Sequence, residues 1–390
     1  MSEIGAVRLE SEVFPVVKIH IFGTIVNGGT PTSGEENWNG DIPFITPPDL
    51  NGLDGKAVTS VGRTITESGL ESGSNLVENG VIFSGRAPVG YVGLVTTPSA
   101  FNQGCKVICT AQDHRYVAYA LAASKSNLQV LANGTTFSEI SSISVANYSI
   151  PLPPFETQQR IADYLDGETA EIDAAVADLD RYVKLLEKRG KVLIEKTVIG
   201  GTNSFSPLWS KIRVQNGFAF DSEKFSPTKE LPVAKIGNVL PGDFSEFIDA
   251  SELPSESFLI KDGDLVVGMS GDFNRTIWNK GKAALNQRVC ILKPIADDDI
   301  RYINYAIGSG LKKIHSTKFS TTLKNLSTEE ILAIRVPHRT VTEQKEIATY
   351  LDKETAEIND LVVESKKLRD LLLKRRSVLI TDVVTGRKQV

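Results

Sequence analysis

The sequence predicts a mixed α/β protein, of the α+β kind, in which two globular segments alternate with two long helices. The helices are expected to pack as an antiparallel coiled coil with pseudo-twofold symmetry. Three observations predict it: a block that recurs at an offset of 186 residues, an apolar stripe stepping by three and four in each copy, and a strand-rich segment before each copy.

The repeat comes first because it sets the architecture. Gln158-Gln-Arg-Ile-Ala-Asp-Tyr-Leu-Asp-Gly-Glu-Thr-Ala-Glu-Ile172 aligns with Gln344-Lys-Glu-Ile-Ala-Thr-Tyr-Leu-Asp-Lys-Glu-Thr-Ala-Glu-Ile358. The register then holds without a gap: Leu185-Leu186, Lys188-Arg189, Val192 to Ile194 and Gly200 face Leu371-Leu372, Lys374-Arg375, Val378 to Ile380 and Gly386. Prolines open each copy, Pro151, Pro153 and Pro154 in one and Pro337 in the other, as suits a strand end leading to a helix. Thr157 and Thr342 are the expected caps, and Gly167 marks an expected bend between a short leading helix and a long one.

Within the copies, Ile161, Leu165, Ile172, Ala175, Leu179, Tyr182, Leu186 and Leu193 form one stripe. Ile347, Leu351, Ile358, Leu361, Leu368, Leu372 and Leu379 form the other. Alternating steps of three and four describe a narrow coiled-coil seam, so each helix wants a helical partner, and the nearest equivalent is the other copy.

The segments between the helices carry short β-branched and aromatic runs separated by Gly, Pro, Asn and Ser. Strands are expected at 16–21, 42–45, 80–84, 91–96 and 105–110, then at 231–236, 264–269, 277–278 and 287–292. Short helices are expected at 115–124 and 300–311. Faint echoes link the two segments: Ile42 to Ile45 with Leu231 to Ala234, and Phe101-Asn-Gln103 with Leu285-Asn-Gln287. The expected domains are therefore 1–150, 151–201, 202–335 and 336–390, with the heads far more diverged than the shafts.

Composition narrows the function. A chain of 390 residues suits two to four domains, and no tract is apolar enough to span a bilayer. The N-terminus lacks the basic segment, apolar run and cleavage site of a secretory signal, so a cytoplasmic location is expected. Cys105, Cys109 and Cys290 offer neither a paired framework nor a zinc-ligand set. The net charge of −5 argues against a free-standing, nonspecific nucleic-acid binder. By segment, basic and acidic residues number 8 and 13, 7 and 10, 17 and 16, and 11 and 9. No segment is strongly basic, so a DNA ligand would need locally clustered charge or cations from partners.

Enzyme motifs are weak. An adenine methyltransferase needs an Asn or Asp before Pro-Pro-Tyr/Phe, and Leu152-Pro-Pro-Phe155 has leucine there, while Thr46-Pro-Pro-Asp49 lacks the ring. No Gly-rich cofactor loop occurs between strand and helix; Gly28-Gly29 and Gly200-Gly201 read as turns. His20, His114, His315 and His338 show no metal-ligand spacing, and Asp297-Asp298-Asp299 reads as a solvated helix cap. No catalytic residue, metal or bound cofactor is expected on this chain.

The sequence resembles the specificity subunit of type I DNA restriction-modification systems over nearly its whole length. Gly28-Gly-Thr-Pro-Thr32 before Asp41-Ile-Pro-Phe44, Ser84-Gly-Arg86 before Phe101-Asn-Gln-Gly104, and Pro151-Leu-Pro-Pro154 before Gln158-Gln159-Arg160-Ile161-Ala162 carry the likeness. Val214-Gln-Asn-Gly-Phe218 is a looser version of the family's second-head opening. The resemblance implies two target recognition domains, each reading half of a bipartite, asymmetric site in double-stranded DNA. It also implies two methylation subunits using S-adenosylmethionine at adenine N6, and translocase-nuclease restriction subunits using ATP and Mg. A helix over 169–199 would extend roughly 45 Å, about one and a third turns of B-DNA, a suitable ruler for two reading heads.

Base reading calls for Arg against guanine and Asn or Gln against adenine, with Lys, Ser and Thr against phosphate. In the first head the loop candidates are Arg86, Asn102, Gln103, Lys106, Thr135, Thr136 and Ser138. In the second they are Asn274, Arg275, Asn286, Gln287, Arg288, Lys318, Ser320, Thr321, Thr322 and Lys324. The Asn-Gln pairs have a second reading, backbone bonds inside each head, which would account for their presence in both copies. The function expected is that of a noncatalytic DNA specificity subunit; the alternatives are a coiled-coil interaction scaffold and an adenine-N6 methyltransferase.

Overall fold

The computed structural model describes residues 8–132, 139–318 and 324–390. The chain divides into two compact units, Met1–Asp180 with Lys366–Val390, and Arg181–Ser365. Each unit holds one head and a stretch of both long helices.

In the first unit Gly23–Asn27, Cys105–Thr110, Gly80–Ser84 and Val92–Val95 form an antiparallel sheet in that order. A second sheet runs Thr64–Ile65, Trp38–Ile45, Ser99–Phe101 and Leu76–Val77, its central pair parallel. Val16–Lys18 pairs with Ser149–Pro151. Val81, Ile82 and Phe83 run apolar without alternation because both faces of the strand Gly80–Ser84 are covered. Val81 and Phe83 point into the core that includes the long helices, and Ile82 into the core of the outer head, as a period of two requires.

The second unit repeats this plan strand for strand. Ile212–Asn216, Val289–Pro294, Leu265–Gly268 and Arg275–Ile277 make the antiparallel sheet. Phe247–Ile248, Leu231–Ala234, Ala283–Leu285 and Leu259–Ile260 make the other, again with a parallel central pair. Phe205–Pro207 pairs with Arg335–Pro337. Leu265 and Val267 face the helix-side core and Val266 the outer one. The faint sequence echoes are thus structural equivalents: Phe44 and Ile45 pair with Ala100 and Phe101 as Val233 and Ala234 pair with Ala284 and Leu285.

The long helices are Phe155–Ile199 and Val341–Val384, of 45 and 44 residues. In the first unit Arg376 reaches Asp173 at 3.0 Å and Arg369 reaches Asp180 at 3.4 Å, so the numbering runs in opposite directions and the pair is antiparallel. In the second unit Leu193 and Val198 share a core with Ala348 and Leu351.

Three expectations about the helices need correction. The first helix continues unbroken through Gly167, because the flanking turns dock on the head and hold it helical. Thr157 and Thr342 lie inside their helices; the second helix is capped by Thr340, whose hydroxyl and amide exchange hydrogen bonds with Glu343, while in the first the Pro154 carbonyl accepts from Thr157 and Gln158. One column of the seam is right: Leu165, Ile172, Leu179, Leu186 and Leu193, and Leu351, Ile358, Leu372 and Leu379, face inward wholly or in part. The other column lies one residue later than expected, at Ala162, Thr169, Val176, Val183 and Gly190, and at Ala348, Thr355, Val362, Arg369, Arg376 and Val383. Leu361 and Leu368 are exposed, as is Tyr182. Ile161 is buried beside the true column, and Ile347 is half-buried.

Each head is fixed to its own helix by the same joint. Asp113 caps the helix His114–Ala123, and its amide donates to the Gln158 side chain at 3.1 Å. Tyr116 donates to the Pro151 carbonyl at 2.9 Å, while Tyr119 and Arg115 donate to the two oxygens of Asp166 at 2.7 and 2.8 Å. In the second unit Asp299 caps Ile300–Ala306 and its amide donates to Gln344 at 2.8 Å. Tyr302 donates to the Pro337 carbonyl at 2.9 Å, and Tyr305 and Arg301 to Asp352, both at 2.8 Å. Asp297 to Asp299 is therefore more than a solvated cap: Asp298 accepts from Lys211 at 2.8 Å and from Gln344 at 2.6 Å, and Asp299 lies against Arg301. Burial alone would raise the Asp299 carboxyl, but hydrogen bonds from Arg301 and the helix amides hold it below the usual range.

Candidate nucleic-acid interface

Each head carries one turn on which outward polar side chains converge, just before the central strand Cys105–Thr110 or Val289–Pro294. In the first head the Asn102 amide donates to the Ile45 carbonyl at 2.8 Å, its side-chain oxygen accepts from the Gly104 amide at 2.7 Å, and its side-chain nitrogen donates to Thr30 at 3.1 Å. In the second head the Asn286 amide donates to the Ala234 carbonyl at 3.3 Å and its side chain accepts from the Gln287 amide at 2.8 Å. The glycines of the two family openings now have a reason. A Cβ on Gly28 would stand 2.0 Å from the Asn102 carbonyl oxygen, and one on Gly217 1.9 Å from that of Asn286. The two asparagines therefore build the turn, and Asn286 is buried. The glutamines that follow, Gln103 and Gln287, point outward and are exposed.

Gly85 and Arg86 donate backbone amides to the Gly104 carbonyl, and Met269 donates its amide to the Arg288 carbonyl at 2.8 Å. Gly104 and Arg288 thus occupy one position in the two heads, as do Arg86 and Ser270, which form matching bridges to Glu139 and Asn325. Arg86 is exposed and pairs through Nε with Glu139 at 2.9 Å. Arg288 is exposed in a left-handed backbone conformation, φ +62°, and no hydrogen bond or ion pair holds its side chain among the described residues.

Other candidates turn inward. Lys106 is buried, its ammonium donating to Asn27 at 2.9 Å and Ser142 at 3.3 Å, and burial lowers its pKa; it is not placed to meet a phosphate. Arg275 donates through Nε to the Asn304 carbonyl at 2.8 Å, and burial lowers its pKa as well. With Asn274 it lines a cavity of about 510 Å³ that also takes in Lys191 and Glu195 of the first long helix, so both residues face the shaft. Lys318 donates to Glu330 at 2.7 Å and to the Asn325 carbonyl, and Lys324 to the His315 carbonyl at 2.8 Å, so part of each ammonium is engaged inside the head. Thr135, Thr136, Ser138, Ser320, Thr321 and Thr322 lie outside the described residues. Arg86, Gln103, Gln287 and Arg288 are the candidates left facing outward from the two turns.

The motif lookalikes are structural. Leu152 to Pro154 connect a strand to the first long helix, and Thr46 caps the short helix Pro47–Leu50 in a reciprocal pair with Asp49. Burial pushes the Cys105 and Cys290 thiols up to about 12. Among the described residues no helix is long and apolar enough to cross a membrane. The sequence reading missed the joint, although Asp-x-Arg-Tyr-x-x-Tyr stands at 113–119 and again at 299–305, at the offset of the helical repeat.

A family model described as type I restriction modification DNA specificity domain matches residues 12–175 and 210–367. The chain is 34% identical over 205 residues to the EcoBI specificity subunit of Escherichia coli, covering 50% of this chain and 43% of that one. It is 28% identical over 232 residues to the MjaIX specificity subunit of Methanocaldococcus jannaschii, covering 58% and 51%. These matches span about half of each relative; a third, to the MjaVIII specificity subunit of the same archaeon, covers 97% of this chain and 94% of that one at 24% identity. Among solved structures, a chain from work on complex assembly and conformational transition of the type I R-M system superposes with a TM-score of 0.77 at 13% identity, covering 96% of this chain and 98% of that one. The HsdS subunit from Thermoanaerobacter tengcongensis gives 0.54 at 14% identity, covering 97% and 98%. With one copy of the matched domain in each of the two repeated units, the chain belongs to the type I restriction-modification DNA specificity family.

Proposed function

We propose that this chain is the noncatalytic DNA-reading subunit of a type I complex, in which each head reads one half of a bipartite, asymmetric site in double-stranded DNA. The observation that carries the proposal is a fold present twice with the head-to-helix joint kept and the exposed cation moved: Arg86 outward and Gly104 buried in one head, Arg288 outward and Ser270 buried in the other. Unlike turns on like scaffolds suit two unlike half-sites. The chemistry of methylation, with S-adenosylmethionine, and of translocation and cleavage, with ATP and Mg, belongs on this reading to the partner subunits.

The helices offer those partners a surface. Tyr182, Leu185 and Val192 are exposed on the first, and Leu368, Leu371 and Val378, each 186 residues later, on the second. Apolar side chains repeated on an outward face call for cover by the same partner twice, which suits two methylation subunits. The test is selection from a randomised duplex pool by the full chain in complex with methylation subunits. A two-part motif with unlike halves is expected. A single continuous motif, or none, overturns the proposal.

A further inference from the structure

We propose that Arg288 reads a guanine in the half-site of the second head, a specificity-determining role that rests on the DNA-reading function above. Three observations converge on it. The turn Asn286-Gln287-Arg288 borders a groove of about 400 Å³ whose walls include Phe220, Phe225 and Lys235. Phe225 stacks under the Lys235 ammonium at 5.0 Å, which fixes one cation on the groove wall beside its carboxylate partner Glu246. Arg288 supplies a second cation, exposed, with no protein partner among the described residues.

The comparison between heads sharpens the assignment. At the same backbone position the first head has Gly104, which suits a close turn; the second places a long cationic side chain there, at φ +62°, where side chains are disfavoured. Gly104 stands outside the left-handed region, so the second head alone takes this costly conformation, and the Arg288 side chain makes no hydrogen bond or ion pair among the described residues that would offset it. A guanidinium fork matches the O6 and N7 acceptors of guanine in the major groove, and a neighbouring glutamine, Gln287, presents an amide able to meet the adjacent base edge. Lys235, tied to Glu246 and Phe225, is a lesser donor and is assigned to phosphate contact.

The test uses the same pool selection with Arg288→Gly and Arg288→Lys. The glycine variant restores the residue of the first head at a position whose φ favours it, so folding is retained. Both variants are expected to relax one position of one half-site from guanine to mixed bases, with discrimination there falling about tenfold or more and the other half-site unchanged. A motif intact at every position refutes the assignment. So does uniform weakening with the motif preserved, which would make Arg288 a phosphate contact. A wild-type complex that enriches no two-part motif overturns the parent reading instead, and the two failures are told apart by that control.

Discussion

Removing Arg376 should separate packing from charge in the helix seam of the first unit. Its side chain is only 5% exposed, yet both carboxylate partners reach solvent: Asp173, at 3.0 Å, is 30% exposed and Asp54, at 3.1 Å, 40%. Lys56 also pairs with Asp173, so deleting the guanidinium leaves no carboxylate stranded in the core. The ion pairs are therefore worth about 1 kcal/mol together. The alanine removes two methylenes of the buried stem, worth about 1.6 kcal/mol at roughly 0.8 each, and recovers about 1 kcal/mol of side-chain entropy. Arg376→Ala is expected to destabilise the unit by about 2 kcal/mol. In a unit of about 200 residues that lowers its melting transition by about 4–8 °C. Arg376→Met keeps the stem and is expected to cost less than about 1 kcal/mol. Calorimetry on both variants is the assay. A methionine variant as destabilised as the alanine variant would refute the division, because it would put the energy in the charges.

Three further outcomes are expected. Tyr119→Phe or Tyr305→Phe should cost about 1–2 kcal/mol in its own unit, because Asp166 and Asp352 each lose a hydrogen bond from a largely buried hydroxyl; unfolding that leaves the unit carrying the change unaffected counts against the joint. The Asp299 carboxyl, held below its ordinary 3.8, contributes stability that is complete above that value and is lost as pH falls through the lower folded-state value. Acid titration of Asp299→Asn should accordingly show a shallower loss of the second unit below about pH 4 than the wild type. If the helices dock two methylation subunits as proposed, Leu371→Asp, at a position 54% exposed, should leave melting unchanged and halve the bound methylation subunits by light scattering, with Leu185→Asp added to remove the rest.

The helices were legible because identical residues at a fixed offset need no energetic interpretation, and the strands at 80–84 and 105–110 because each holds adjacent β-branched or aromatic residues, Val81 to Phe83 and Val107-Ile108. Gly23–Asn27 and Ile212–Asn216 were missed as strands: each is five residues of mixed polarity at a sheet edge. The seam went wrong by one residue for a physical reason. Hydropathy selects Tyr182, Leu361 and Leu368, whereas the inward column holds Thr169 and Thr355, hydrogen-bonded to Tyr119 and Tyr305, and Arg376, ion-paired with Asp54 and Asp173. Side-chain direction was equally hidden among the candidate DNA contacts. Lys106 and Arg275 are long cations whose heads turn inward to a partner, and no spacing rule records which way a flexible side chain turns.

That misassignment of the outer row also separates what each residue answers to. Where a side chain bonds the helix, the two copies agree: Arg115 with Arg301, Tyr116 with Tyr302, Tyr119 with Tyr305, and Asp166 with Asp352. Where a backbone has to close a turn they agree as well, in Asn102 and Asn286. Gln103 and Gln287 agree too, but the next position does not, Gly104 against Arg288, nor does the neighbouring segment, Arg86 against Ser270. A scaffold serving one common partner on both heads would have no reason to differ at these exposed positions. Two heads meeting different base sequences on the same docking frame would differ at those positions first, since outward donors set specificity while the joint sets pose.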